Sequence, residues 1–194
     1  RARVLLPLAA AAAVLTPVLS QWLRASMPPP SYGNPTLESL ADPVGLFREL
    51  TVTGYYPVLT WSAYILAGLA VGRLALADRR TAWAVMLGGA VLAVVAWATS
   101  WFLLNAGDGL AALRAAGAGQ HPAGGRPLDI ALTTSFYGTT PTTDWWWLAI
   151  AAPHSGSTFD LLHTIGTACF VLGLMLLLMR VARSALWPLA AIGS

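Results

Sequence analysis

Lysine is absent from this chain, cysteine occurs once, and charged residues of any kind make up only 10% of its 194 positions. Each scarcity excludes something. A water-facing domain of this size carries about a quarter of its residues as Asp, Glu, Lys and Arg, so a soluble globular surface is ruled out. A lone cysteine cannot build a disulfide framework. Three histidines without ligand spacing make no metal site, and none is expected. The chain has no phosphate loop, no dinucleotide fingerprint and no Gly-x-Ser-x-Gly elbow. No bound cofactor is therefore expected. All eleven basic residues are arginines, and they are scattered between apolar runs rather than gathered into a patch. The net charge of +3 therefore does not point to a nucleic-acid partner.

Apolar sequence is what remains: 57% of the residues are hydrophobic. Four stretches approach the roughly 20 apolar residues needed to cross a hydrocarbon core. They run over 4–23, 57–77, 81–104 and 160–179. The expected fold is an all-α integral membrane protein, a single polytopic domain of four transmembrane helices. Two long loops, 24–56 and 105–159, separate them, and a three-residue link, Asp78 to Arg80, predicts a tight antiparallel hairpin between the second and third. With four crossings, Arg1, Arg3, Arg73, Arg79, Arg80, Arg180 and Arg183 share one side with a single acid, Asp78. Arg24, Arg48, Arg114 and Arg126 share the other with seven acids. Positive loops stay cytoplasmic, so both ends are expected inside and both long loops outside a plasma membrane. Arg1 at the start and an apolar run at Trp187–Ser194 read as part of a longer protein.

Both loops carry structure signals. Asp42-Pro43 is a helix start, and Val44, Phe47 and Leu50 follow at helical spacing, predicting a short interfacial helix. The second loop opens with a Gly/Ala-rich stretch, Gly107 to Gly125, expected to be mobile. It then turns aromatic and hydroxyl-rich. Trp145, Trp146 and Trp147 suit the headgroup layer, and 145–152 reads as an interfacial or re-entrant piece or the start of a broken helix. Gly68-x-x-x-Gly72 is a small-residue face suited to close helix packing.

Few residues can carry chemistry. His121 sits in the Gly-rich stretch, where solvation is its expected role. His154 lies in the turn Pro153-His-Ser-Gly-Ser157, and His163 lies one turn inside the fourth span. An ionisable residue within a span is by default a functional candidate. Asp160 and His163 are three apart and share a helix face, an arrangement suited to proton transfer. Other readings stand beside these: Ser157-x-x-Asp160 is also a capping pattern, His163 also suits a bond to a neighbouring helix, and His154 also suits a solvated turn. Cys169, mid-span and alone, reads as packing.

Several strings resemble a known family. Asn34-Pro-Thr-Leu-Glu-Ser-Leu-Ala-Asp-Pro43, Thr53-Gly-Tyr-Tyr-Pro-Val-Leu-Thr-Trp61 and Leu66-Ala-Gly-Leu-Ala-Val-Gly-Arg73 are similar to segments of the actinobacterial, heparan-alpha-glucosaminide N-acetyltransferase-like (YeiB-like) multi-spanning proteins. So are Gly138-Thr-Thr-Pro-Thr142, the tryptophan triplet and Pro153-His-Ser-Gly-Ser-Thr-Phe-Asp160. The resemblance implies an acyltransferase that uses cytosolic acyl-CoA (acetyl-CoA) as co-substrate and modifies a sugar or lipid-linked acceptor across the bilayer. The family's main catalytic histidine falls in an N-terminal region that this chain lacks, so that role is not carried over.

The residues themselves suggest His154, Asp160 and His163 as candidate catalytic groups. Tyr137, Asp144, Trp145, Trp146 and Ser155 are candidate acceptor contacts; aromatic faces stack on sugars, and hydroxyl and carboxylate groups bond their hydroxyls. The bilayer is the expected environment, with a homo-oligomer left open. The rival from another class is a non-catalytic membrane protein, either part of a transporter or an accessory subunit of a cell-envelope complex. Scarce intramembrane charge argues against an ion-coupled pump.

Overall fold

A bilayer offers no water to backbone N–H and C=O groups, so a spanning chain satisfies them within helices. Helix is the only regular structure in the computed structural model, which describes residues 2–28, 34–116 and 128–181. In chain order the helices are α1 (Ala2–Arg24), α2 (Pro43–Arg48), α3 (Val58–Val71), α4 (Arg79–Asn105), α5 (Gly109–Ala115), α6 (Leu128–Thr133) and α7 (Thr158–Val181). Shorter 3-10 turns cover Leu37–Ala41 and Trp145–Ala149, and a π turn covers Glu49–Thr53.

Among the described residues three helices, α1, α4 and α7, are long and apolar enough to cross a membrane, with 23, 27 and 24 residues. Their outward faces are largely apolar. Leu15 and Trp22 on α1, Val91, Val94 and Trp97 on α4, and Val171 and Met175 on α7 all face outward. Such surfaces suit hydrocarbon and not water.

The second expected span, 57–77, is not one continuous helix. α3 has 14 residues, about 21 Å at 1.5 Å per residue, whereas the hydrocarbon core is about 30 Å thick. The helix stops where Gly72 forms its C-terminal cap. Beyond it Arg73 and Leu74 donate three residues back, to the carbonyls of Ala70 and Val71, and the chain turns. Asp78 then caps α4 by accepting from the Arg80 N–H at 3.3 Å.

Nor do the second and third apolar stretches form the expected packed hairpin. α3 packs along α1, and α4 packs along α7. The cause lies in the glycines. A Cβ added at Gly89 would meet the backbone of Gly166 and Phe170, one at Gly166 would meet Ala93, and one at Gly173 would meet Met86. The α4 and α7 backbones therefore touch along a seam that only glycine permits. Gly68, expected at a packed face, has nothing within 4 Å of an added Cβ. On the other pair, the small residues Ala13 and Ala63 are fully buried against Leu161, the point where the two pairs meet. At the far end Arg180 donates to the Ala77 carbonyl, tying α7 to the turn between α3 and α4.

The long loops fold over the opposite end as a cap. Asp42 accepts from the Gly45 N–H at 2.9 Å and starts α2 at Pro43. Leu37, Leu40, Val44 and Phe47 stay exposed on this segment. The Gly/Ala-rich stretch is ordered in its first part: α5 buries Leu113 completely beside Leu104, Leu128, Phe136, Trp147 and Ile150. The remainder of that stretch, with His121, lies outside the described residues. The tryptophan triplet is split, because a 3-10 turn points successive side chains in different directions. Trp145 is exposed, Trp146 is half-buried, and Trp147 is fully buried at the centre of the cap with its indole N–H on Thr143 Oγ1 at 3.1 Å. Residues 145–152 therefore pack on protein at the end of the bundle.

Overpacking the seam is expected to cost about 1–3 kcal/mol. Gly89→Leu should therefore lower the unfolding midpoint of the detergent-solubilised protein, and Gly68→Leu should leave it close to wild type. Equal midpoints for the two variants would remove the seam from its organising role.

Candidate functional site

The cap is built by three loop segments lying against one another. Phe136 N–H donates to the Pro153 carbonyl and Gly138 N–H to the His154 carbonyl, both at 2.8 Å. Gly138 and Gly156 have φ of +86° and +63°, which glycine adopts without strain. Neither leaves room for a side chain: Gly138 abuts the Tyr55 carbonyl, and Gly156 abuts the Gly138 carbonyl. His154, between these glycines, is left-handed as well, at φ +58°. A non-glycine residue there costs free energy that the neighbouring hydrogen bonds must offset.

That backbone presents the His154 ring at the surface. Ser135 Oγ lies 2.9 Å from His154 Nδ1 and 3.2 Å from the Phe136 carbonyl. The hydroxyl has one proton, so it serves the imidazole or the carbonyl, depending on which ring nitrogen is protonated. Around the ring stands a ladder of aromatics. Tyr56 and Trp61 have centroids 6.4 Å from the His154 ring. Tyr56 packs edge-on to Trp61 at 4.7 Å, and Tyr137 edge-on to Tyr55 at 5.1 Å. The result is a half-open polar and aromatic surface, with Tyr56 and Tyr137 exposed.

Asp160 and His163 are placed differently. Asp160 is buried and holds the turn: one carboxylate oxygen accepts from Gly156 N–H at 3.0 Å and the other from the Thr164 hydroxyl at 3.3 Å. Its own N–H donates to Ser157 Oγ at 3.1 Å, the capping bond that starts α7. His163 Nδ1 lies 3.1 Å from the Ala93 carbonyl. A carbonyl only accepts, so Nδ1 carries the proton and the bond ties α7 to α4. The hydrogen bonds of Asp160 and His163 thus go to different partners. Sharing a helix face did not make them a hydrogen-bonded pair.

Among the candidate acceptor contacts, Tyr137 borders the His154 surface. Ser155 is buried, its hydroxyl donating to Ser157 Oγ at 3.0 Å, so it braces the turn. Asp144 caps the 3-10 turn by accepting from Trp146 N–H at 2.8 Å. Trp145 is exposed, and Trp146 packs against the cap core. Three residues that sequence reasoning passed over matter here: Ser135, Gln21 and Arg24. Arg24 is buried, with Nε donating to Ser20 Oγ at 3.1 Å and a terminal nitrogen to the Thr140 carbonyl at 2.5 Å. Gln21 donates to the Asp144 carbonyl at 2.8 Å and accepts from Thr140 Oγ1 at 3.2 Å. A basic and an amide side chain one turn apart at the end of an apolar run were the available signal. Among the described residues no group of three His, Cys, Asp or Glu is gathered.

No family model, curated protein or solved structure matches this chain.

Removing a fully buried Trp leaves a cavity costing about 3–5 kcal/mol. Trp147→Ala should therefore expose the cap to proteolysis, whereas Trp145→Ala should not; limited proteolysis of the two variants checks this. Arg24→Ala should raise amide hydrogen exchange across 139–147 while leaving the α4–α7 seam protected.

Proposed function

We propose that this protein is a membrane-embedded acyltransferase. In this reading it moves an acetyl-like acyl group from acyl-CoA on the arginine-rich side to a sugar or lipid-linked acceptor on the other side. The observation that supports it best is the Ser135–His154 contact, 2.9 Å long and set beside Tyr56, Trp61 and Tyr137. A histidine held at a left-handed backbone position, with one ring nitrogen near a hydroxyl, suits general-base work. Aromatic edges beside it suit the C–H faces of a carbohydrate. The similarity of the Pro153–Asp160 string to the YeiB-like enzymes points the same way.

The chemistry needs one base and one positioning group. In this reading the nucleotide of acyl-CoA stays on the arginine-rich side while its extended pantetheine arm presents the thioester at the cap. His154 takes the proton from the acceptor hydroxyl or amine as that atom attacks the thioester carbon. The carbon–sulfur bond breaks, and CoA leaves as the thiol after receiving the proton from the imidazolium. Ser135 orients the ring, and Asp160 acts through the turn by holding the Gly156 N–H. His163 and the α4 carbonyl hold the helix that carries them. Trp145, Trp146 and Tyr137 border the acceptor.

The proposed topology has four crossings with both ends cytoplasmic. α3 and the turn after it make the second crossing together, because Arg73, Arg79 and Arg80 then lie with Arg3 and Arg180. Thr142→Cys should react from outside intact cells with a membrane-impermeant maleimide, and Ala75→Cys only after permeabilisation. The reverse pattern would invert the topology.

Loss of a general base typically costs 10²–10⁴-fold. Transfer from labelled acyl-CoA should therefore fall about a hundredfold or more in His154→Asn, and much less in His163→Asn. Wild-type rates in His154→Asn at equal expression would end the assignment.

A further inference from the structure

The two helix pairs do not close on each other along their whole length. Where they part, an apolar groove of about 530 Å³ runs between them. Leu6, Ala9 and Ala13 of α1 line one wall, Val85, Gly88 and Leu92 of α4 the other, and Leu162, Ile165 and Cys169 of α7 the back. The lining reaches Val71, Leu74 and Thr81 at the turn between α3 and α4. Along α4 the lining runs from Thr81 to Leu92, about 16 Å at 1.5 Å per residue. Half of a roughly 30 Å hydrocarbon core is about 15 Å, so the groove is one leaflet deep.

The end at the turn between α3 and α4 is flanked by cations. Arg3 lies one turn before Leu6, Arg73 directly precedes Leu74, and Arg79 and Arg80 directly precede Thr81. All four are exposed, and Asp78 is the one acid between Val71 and Leu92. An apolar trench of leaflet depth, ending under four arginines, has the two parts of one ligand: a hydrocarbon chain below and an anion above. Arginine suits a phosphate by offering paired donors. We infer that this groove is a binding site for an anionic phospholipid of the arginine-side leaflet, with an acyl chain between the helix pairs and its phosphate among Arg3, Arg73, Arg79 and Arg80. The site stands apart from the His154 surface, so it holds whether or not the protein transfers acyl groups.

Two glycines make a matched test. An added Cβ meets nothing within 4 Å at Gly88, which lines the groove, or at Gly68, which does not. Gly88→Leu therefore projects into the groove from a position with an unobstructed Cβ, and Gly68→Leu is the control for expression and folding. Native mass spectrometry of the detergent-purified protein, titrated with phosphatidylglycerol or phosphatidylcholine, reads out retained lipid and oligomeric state together. Wild type and Gly68→Leu should retain phosphatidylglycerol in preference to phosphatidylcholine, and Gly88→Leu should lose that retention. Each of Arg73→Ala, Arg79→Ala and Arg80→Ala should weaken phosphatidylglycerol binding by about fivefold, with little effect on phosphatidylcholine. Equal retention in Gly88→Leu, indifference of wild type to headgroup, or a wild-type dimer that Gly88→Leu splits would each overturn the inference. The last result would assign the groove to a second copy of the chain.

Discussion

The contact on which the other features depend is the glycine seam between α4 and α7. Hydrocarbon gives helices no hydrophobic reason to associate, so close packing and hydrogen bonds decide which ones pair. Gly89, Gly166 and Gly173 bring the two backbones together, and the His163 bond to Ala93 adds a polar tie. With α7 committed to α4, α3 packs along α1 instead of its neighbour in sequence. The groove lies where these two pairs part. The same pairing sets where the first turn of α7 emerges, and hence where the His154 turn sits.

At the other end the cap solves a different problem. Its loops carry many backbone polar groups, which need partners wherever they are buried. Side chains from the end of α1 supply some of them: Arg24 and Gln21 bond the carbonyls of Thr140 and Asp144. Trp147 fills the centre, with Leu113, Phe136 and Ile150 around it. This packed floor holds the loop 135–157 firmly enough to keep His154 at its left-handed position, with the imidazole against Ser135.

The helical, membrane-spanning character of the chain was legible from its composition, since low charge and long apolar runs leave no other class. Helix lengths for α1, α4 and α7 were legible too, and so was the start of α2 at Asp42-Pro43, where local capping decides. The stop of α3 at Gly72 was not, because a glycine inside an apolar run looks like a packing residue until its surroundings are known. Gly68 and Gly89 carry the same local signal, and only the partner helix separates them. In the candidate site, His154 and Asp160 were legible because ionisable groups are so rare. The contact between Ser135 and His154 spans nineteen positions and depends on loop pairing that no periodicity reports. The expected Asp160–His163 pair illustrates the converse: residues on one helix face still turn to different partners.

The acyl transfer across the bilayer that we propose for the cap is tested most directly with wild-type protein in sealed proteoliposomes. Labelled acyl-CoA would be supplied only on the arginine-rich face and a glycan acceptor only on the other. Acyl transfer predicts a labelled acceptor in the compartment that never held acyl-CoA, and no label in empty vesicles. An unlabelled acceptor, with the protein shown to be folded and correctly oriented, would contradict it.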